Sequence, residues 1–341
     1  MTDAIQNEYQ KERNVLAISL FVPLVAAACL AGILIGKGKV ELSIFQEVSV
    51  ILACSGFIIG IIFGNRLVLT QMEKVIAIRE RNQRAVKIRE ALLNGEIKPY
   101  FQSRVSEKSS KIIGCEALAR WESQHGVIPP AEFIPFSIEE GLISRIDTEI
   151  AVQAIHQLEV WVQEHTIEDN FTLSFNVAAD TLQCPDSIEK IANALSGVVS
   201  HKVAVEIEIT EQSKVDTNQL MLRHIEILKQ SGAALALDDF TAGHNSMTML
   251  TTIKFDIIKF DRSLITFESH DVRSQEVSIK VLESFVGLSK KLGLNTTLEG
   301  IETEEARHLY SSSGIESFQG FLFSKPLSSN DFEQHYINFN H

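Results

Sequence analysis

Apolar residues are laid out along this chain in three different ways. From Asn14 to Gly36 there are 23 residues without a charge, and from about Val48 to Gly64 a further 17, bounded by Glu47 and Arg66. As helices these stretches would be roughly 34 and 25 Å long, enough and barely enough for a bilayer core. Only Lys37 to Gln46 connects them, so the pattern predicts an antiparallel transmembrane helical hairpin in residues 1–66, with spans at about 14–36 and 48–64. Residues 67–94 read differently. Leu67 to Leu93 has no Pro or Gly and is rich in Ile, Val, Glu, Lys and Arg, and Asn94–Gly95 supplies a stop signal. That pattern predicts a linker helix running out of the membrane, on its cytoplasmic side by the charge asymmetry below.

After Gly95 the pattern changes to short apolar runs: Pro99–Val105, Ile112–Trp121, Phe171–Val177, Val203–Ile209, Ala233–Leu237, Ile257–Phe260, Asn295–Leu298 and Ser317–Phe321. Helix-like stretches such as Ile146–Glu164, Thr217–Gln230 and Val272–Leu292 separate most of them. Alternating strands and helices predict an α/β domain with a mostly parallel sheet. The runs carry or end at Gln102, Glu116, Asn176, Glu208, Asp238–Asp239, Lys259–Asp261, Glu299 and Gln319. Burying such groups is costly unless they are paired or bound to a metal. Eight of them at corresponding positions predict strands that converge on one site, as at the carboxyl face of a (β/α)8 TIM-like barrel. The first two runs are joined by Ser106–Lys111, a hairpin-length loop, so the first strand should be antiparallel to the second.

Charge sharpens the division. The 31 Lys and Arg and 44 Asp and Glu fall as 11 and 8 in residues 1–94, a net of +3, and as 20 and 36 in the remainder, a net of −16. A domain that acidic repels nucleic-acid polymers, although bound cations can reverse the sign locally and admit a small anion. Arg66, Lys74, Arg79, Arg81, Arg84, Lys87 and Arg89 follow the second span, against Lys37 and Lys39 in the connection. That asymmetry predicts a multi-pass protein in contact with membrane lipid, its N-terminus and C-terminal domain both cytoplasmic. Small residues at every fourth position, Ala28, Gly32, Gly36 and Gly56, Gly60, Gly64, allow close helix approach within the hairpin or in a homodimer. The cysteines, Cys29, Cys54, Cys115 and Cys184, are widely spaced and form no CxxC.

Glu116, Asn176, Glu208 and Asp238 offer oxygens only, with no His or Cys among them, which suits Mg2+ or Mn2+ rather than Zn2+. The adjacent Asp238 and Asp239, with Asp261 and Glu299 at neighbouring strand ends, supply enough carboxylates for two ions. Two such ions can clamp the attacking and leaving oxygens of a phosphoryl displacement. Lys259 would point into the same mouth and could orient or deprotonate the attacking water. Arg120, four residues after Glu116 on the same face, offers a fork for a phosphate oxygen.

At these residues the chain resembles the EAL domains, the cyclic-di-GMP-specific phosphodiesterases of bacteria. Glu116-Ala117-Leu118 is their signature triplet. IPPAEFIP (Ile128–Pro135), Gly141–Ile143, Phe175–Val177, EIEITE (Glu206–Glu211), DDF (Asp238–Phe240), IKFDRS (Ile258–Ser263), LEGIET (Leu298–Thr303) and QGFLFSKPL (Gln319–Leu327) follow in the family's order. The resemblance implies an EAL phosphodiesterase domain at 95–341 that opens cyclic di-GMP to linear pGpG with two Mg2+ or Mn2+ ions; the apolar hairpin before it would place that domain at the bacterial inner (cytoplasmic) membrane. Glu116, Asn176, Glu208 and Asp238 would hold the first ion. Asp238 would bridge to the second, completed by Asp239 and Glu299 with Asp261 close by. Lys259 would serve the hydrolytic water; Glu116, Lys259 and Glu299 form the catalytic group. Gln102, Arg120 and Gln319 would hold the substrate. Glu211 would anchor a loop, Glu302 would support Glu299, and the protein would be a homodimer.

Three departures accompany the resemblance. The loop after the paired aspartates is Thr241-Ala242-Gly243-His244-Asn245-Ser246 where relatives carry a Gly-Thr-Gly-Tyr-Ser-Ser-like sequence, the family's proline after Gln102 is Ser103, and its isoleucine after Lys259 is Phe260. The last two read as packing changes; the altered loop raises an alternative expectation, a catalytically weak or inactive EAL domain acting as a cyclic-di-GMP or protein-binding receptor.

Overall fold

The computed structural model describes residues 42–198, 202–210, 218–240, 246–264 and 272–340. It divides into two compact units, Met1–Arg84 and Ala85–His341. The helix α1 (Leu42–Leu93) contains the expected linker helix and ends where Asn94 and Gly95 cap it. The first expected membrane span lies outside the described residues. The second falls within α1, yet among the described residues no helix is long and apolar enough to cross a membrane.

The second unit is a closed barrel. In chain order its elements are β1 (Ile97–Ser106), β2 (Ile112–Ser123), β3 (Gly126–Ile128), α2 (Pro130–Glu139), α3 (Ile143–Gln163), β4 (Thr172–Asn176), α4 (Ala179–Leu182) and α5 (Pro185–Val198). Then come β5 (Ala204–Thr210), α6 (Gln219–Gln230), β6 (Ala233–Phe240), α7 (Ser246–Thr252), β7 (Ile257–Phe260), α8 (Val272–Leu292), β8 (Asn295–Leu298), α9 (Glu304–Ser311), β9 (Ser317–Gln319) and α10 (Ser329–Asn340). The strand order is β1-β9-β8-β7-β6-β5-β4-β2, and β1 also pairs with β2 to close the ring; β3 is a short ribbon on β2. As the hairpin-length loop predicts, β1 is antiparallel to β2, and it is antiparallel to β9 as well. All other pairings around the ring are parallel.

Strands covered on both faces read as near-continuous apolar runs, and β7 is the extreme: Ile257, Ile258, Lys259 and Phe260 are all buried. Helices cover the outside. α3 buries Ile146, Ile150, Ala154, Ile155, Leu158 and Trp161 at helical spacing. Trp161 meets Phe101 of β1 at a ring-centroid distance of 4.9 Å and Phe332 of α10 at 5.2 Å, so the last helix is pinned beside the first strand.

Strand register decides what fills the interior. Side chains alternate across a strand, and Gln102 stands opposite Glu116, Asn176 opposite Glu208, Lys259 opposite Thr297 and Arg104 opposite Gln319. These residues face the lumen. One step below the mouth, Arg104 of β1 reaches Glu206 of β5 with two contacts of 2.5 and 3.1 Å, both residues buried.

Candidate active site

Lys259 sits at the centre of the barrel mouth, 1% exposed. Its Nζ lies 2.6 Å from Glu208 Oε2, 2.6 Å from Glu299 Oε1, 3.1 Å from Glu116 Oε2 and 3.6 Å from Asp238 Oδ1. Glu116 is held from three sides, since Asn176 Nδ2 donates to its Oε1 at 2.7 Å and Gln319 Nε2 to its Oε2 at 2.6 Å. Gln319 Nε2 also approaches Gln102 Oε1 at 3.4 Å. Seven of the residues singled out in the sequence, on strands β1, β2, β4, β5, β6, β7 and β9, thus form one connected cluster with Glu299, just beyond β8.

Asp238 and Asp239 are neighbours in sequence, and on a regular strand they would face opposite sides. The β6–β7 register slips between Leu237 and Phe240, and Asp239 takes a φ of +53°, a left-handed conformation uncommon outside Gly. As a result one oxygen from each of Asp238, Asp239 and Glu299 lies within 4.8 Å of the others.

The charge balance is lopsided: one ammonium faces Glu116, Glu208, Asp238, Asp239 and Glu299. Burial pulls the Lys259 ammonium down, but Asp238, Glu116, Glu208 and Glu299 together hold it well above its ordinary range. Burial also pushes the acids up, and their mutual repulsion adds to it. Glu299 is raised to about 8, Asp239 to about 6, Glu208 well above the carboxylate range and Asp238 upward. Glu116 alone is lowered: burial opposes its charge, but Lys259 and the hydrogen bond from Gln319 outweigh it.

These residues fit a divalent cation. Glu208 Oε1 and Asp238 Oδ1 are buried without a hydrogen-bond partner; Glu299 Oε1 is close to Lys259 but misaligned for a hydrogen bond. Buried carboxylate oxygens lacking donors are ligands in waiting for a hard cation.

A raised carboxyl pKa has a definite sign in stability. The contribution is fully present below the unfolded-state pKa and lost as pH rises through the folded-state value, because the folded protein then binds more protons than the unfolded chain. Asp147 acts in the same sense. It is buried in α3, accepts from Ala178 N and Thr181 Oγ1, and is raised to about 7, mainly by burial. Metal-free protein in chelator should therefore melt at falling temperature from about pH 4.5 to about pH 8, and Glu299→Gln should flatten the slope. Calorimetry showing a melting temperature that climbs across this window would overturn the account.

The remaining sequence candidates are placed less centrally. Arg120 is half-buried, and its Nη1 donates to Ala119 O at 2.8 Å. Asp261 Oδ1 accepts from Ser263 N at 2.8 Å, capping the short turn Arg262–Leu264. Glu302 is exposed and pairs with Arg262 at 3.8 Å. Glu211 and loop residues 241–245 lie outside the described residues. Gly320 follows Gln319 for a steric reason: a Cβ there would lie 2.0 Å from the Ile301 carbonyl oxygen.

Sequence reasoning passed over the Arg104–Glu206 pair and the contacts of Ser103 and Ser324. Parity carried a signal for the pair, since Arg104 is two residues from Gln102 and Glu206 two from Glu208.

Comparison with known proteins agrees with this geometry. A family model described as EAL domain matches residues 85–326. The cyclic di-GMP phosphodiesterase PdeL of Escherichia coli K12 is 31% identical over 248 residues, 72% of this chain and 67% of the relative. The probable cyclic di-GMP phosphodiesterase PdeG of the same organism is 28% identical over 242 residues, covering 71% of this chain but only 46% of its own length. Among solved structures, the PaMucR phosphodiesterase in complex with c-di-GMP superposes with a TM-score of 0.63 at 28% identity, over 73% of this chain and 99% of the other.

Proposed function

This chain belongs to the EAL-domain family, and we propose that it hydrolyses cyclic di-GMP to linear pGpG, using two Mg2+ or Mn2+ ions. The observation that carries the reading is the mouth itself: Lys259 enclosed by Glu116, Glu208, Asp238 and Glu299, with Asn176, Gln102 and Gln319 bonded into the same cluster.

In this reading Glu116, Asn176, Glu208 and Asp238 hold one cation; Asp238, Asp239 and Glu299, with Asp261 nearby, hold the other. Divalent cations held there would supply charge neutralisation for the phosphate and a lowered pKa for the attacking water. The residues do the rest. Gln102, Arg120 and Gln319 orient the cyclic dinucleotide so that one phosphate enters the mouth. Lys259, charged and donating in its carboxylate cage, positions the water. The water oxygen bonds to phosphorus, the bond to one ribose 3′ oxygen breaks, and that oxygen takes up a proton. One water is consumed and one linear dinucleotide released.

The proposal extends to a homodimer held at the bacterial inner membrane by the N-terminal hairpin, with the barrel in the cytoplasm. Its support is the uncharged stretch 14–36, the apolar stretch 48–64 and the Lys and Arg excess after it.

The test is incubation of the purified full chain with cyclic di-GMP and Mg2+ or Mn2+, followed by chromatography. The expected result is pGpG formed with either ion and suppressed by chelator. Tight binding with no product would reassign the chain as a receptor.

A further inference from the structure

We infer that Ser103 and Ser324 are positioning residues which set the orientation of two amides at the barrel mouth, and so decide that the mouth presents a hydrogen-bond acceptor there. This rests on the function proposed above, and deepens it.

The segment after β9 returns alongside β1. Phe101 N donates to Leu327 O at 2.7 Å and Leu327 N to Phe101 O at 2.9 Å. Two further bonds fasten it next to Gln102: Ser103 N donates to Ser324 Oγ at 3.0 Å, and Ser324 Oγ donates to Ser103 Oγ at 3.0 Å. These bonds place the Ser324 main-chain carbonyl 3.0 Å from Gln102 Nε2.

A carbonyl can only accept. Gln102 must therefore turn its NH2 toward Ser324 and its Oε1 toward Gln319. Gln319 in turn presents its NH2 to Gln102 and to Glu116, at 3.4 and 2.6 Å. The Ser324 carbonyl at one end and the Glu116 carboxylate at the other, both acceptors, thus set the direction of the two amides between them. What remains at the end is Gln319 Oε1, buried and without a partner. A buried acceptor left open suits an N–H or O–H group of the bound ligand, or an ordered water that the ligand contacts.

The four residues are 7%, 0%, 4% and 8% exposed in the order Gln102, Ser103, Gln319, Ser324, so bulk water does not compete for these bonds. A proline at 103, the residue the resemblance leads one to expect, has no N–H to give Ser324.

The experiment is a double-mutant cycle on the purified full chain, reading KM and kcat for cyclic di-GMP with Mg2+ alongside thermal melting. Ser324→Ala should raise KM about 10-fold through loss of the orienting bonds, with a smaller change in kcat. Ser324→Thr keeps the hydroxyl and should return KM to within about twofold of wild type. In a Gln319→Ala background, Ser324→Ala should change KM less than about twofold, because its effect passes through the amide. Effects that multiply across the cycle, or a melting loss with unchanged KM, would overturn the inference. If wild type forms no product, the hydrolysis reading fails instead. The same cycle then runs on the calorimetric dissociation constant of cyclic di-GMP, where multiplying effects or an unchanged constant would count against the positioning role.

Discussion

Replacing Glu116 by glutamine should abolish metal-dependent hydrolysis, lowering kcat by at least about 1000-fold, roughly 4 kcal/mol of barrier. The size follows from what Glu116 touches. Its two oxygens gather donors from Lys259, Asn176 and Gln319, and it is the one acid of the mouth held below the usual carboxylate range. It is therefore the acid whose charged form its surroundings favour, where burial and mutual repulsion oppose the charged forms of its neighbours. Glutamine keeps the volume but removes that charge, and its NH2 faces donors where an acceptor is needed, since three donors converge on two oxygens. The loss should appear in kcat, and in a weaker Mg2+ dependence, in a protein that still unfolds in one cooperative transition, because no cavity is opened. A Glu116→Gln protein retaining a tenth of wild-type turnover would remove Glu116 from the chemistry.

Much of the barrel was legible because parallel strands buried on both faces leave short apolar runs with polar ends. Ile257–Phe260 and Asn295–Leu298 coincide with β7 and β8. β3 was not legible, since three residues hold too little pattern to distinguish a strand from a turn. In the site, alternation was enough to align Glu116, Asn176, Glu208 and Lys259. It could not reveal how Asp238 and Asp239 face one centre. That depends on a register slip and a left-handed residue, and nothing in the sequence DDF announces either. Asp261 shows the opposite limit. A carboxylate at a strand end can cap a turn as readily as bind an ion, and here Asp261 accepts a hydrogen bond from Ser263 N.

Below the mouth, Arg104→Met should cost about 3–5 kcal/mol of stability, the usual range for removing one partner of a buried ion pair. Arg104 and Glu206 are 5% and 7% exposed and hold each other by two contacts. The methionine would fill much of the same space, so the loss is electrostatic rather than steric. Glu206 would be left charged and enclosed, two residues along the strand from Glu208, whose carboxyl is already pushed well up. The double variant Arg104→Met/Glu206→Leu removes both charges, and its cost should shrink below about 2 kcal/mol, since a well-packed apolar replacement of a buried pair is often neutral. Urea unfolding followed by tryptophan fluorescence measures this cleanly, because the two tryptophans, Trp121 and Trp161, both belong to the barrel unit. A single variant losing under about 1 kcal/mol would mean that solvent reaches Glu206. A double variant as unstable as the single would mean that shape, and not charge, makes this layer of the barrel necessary.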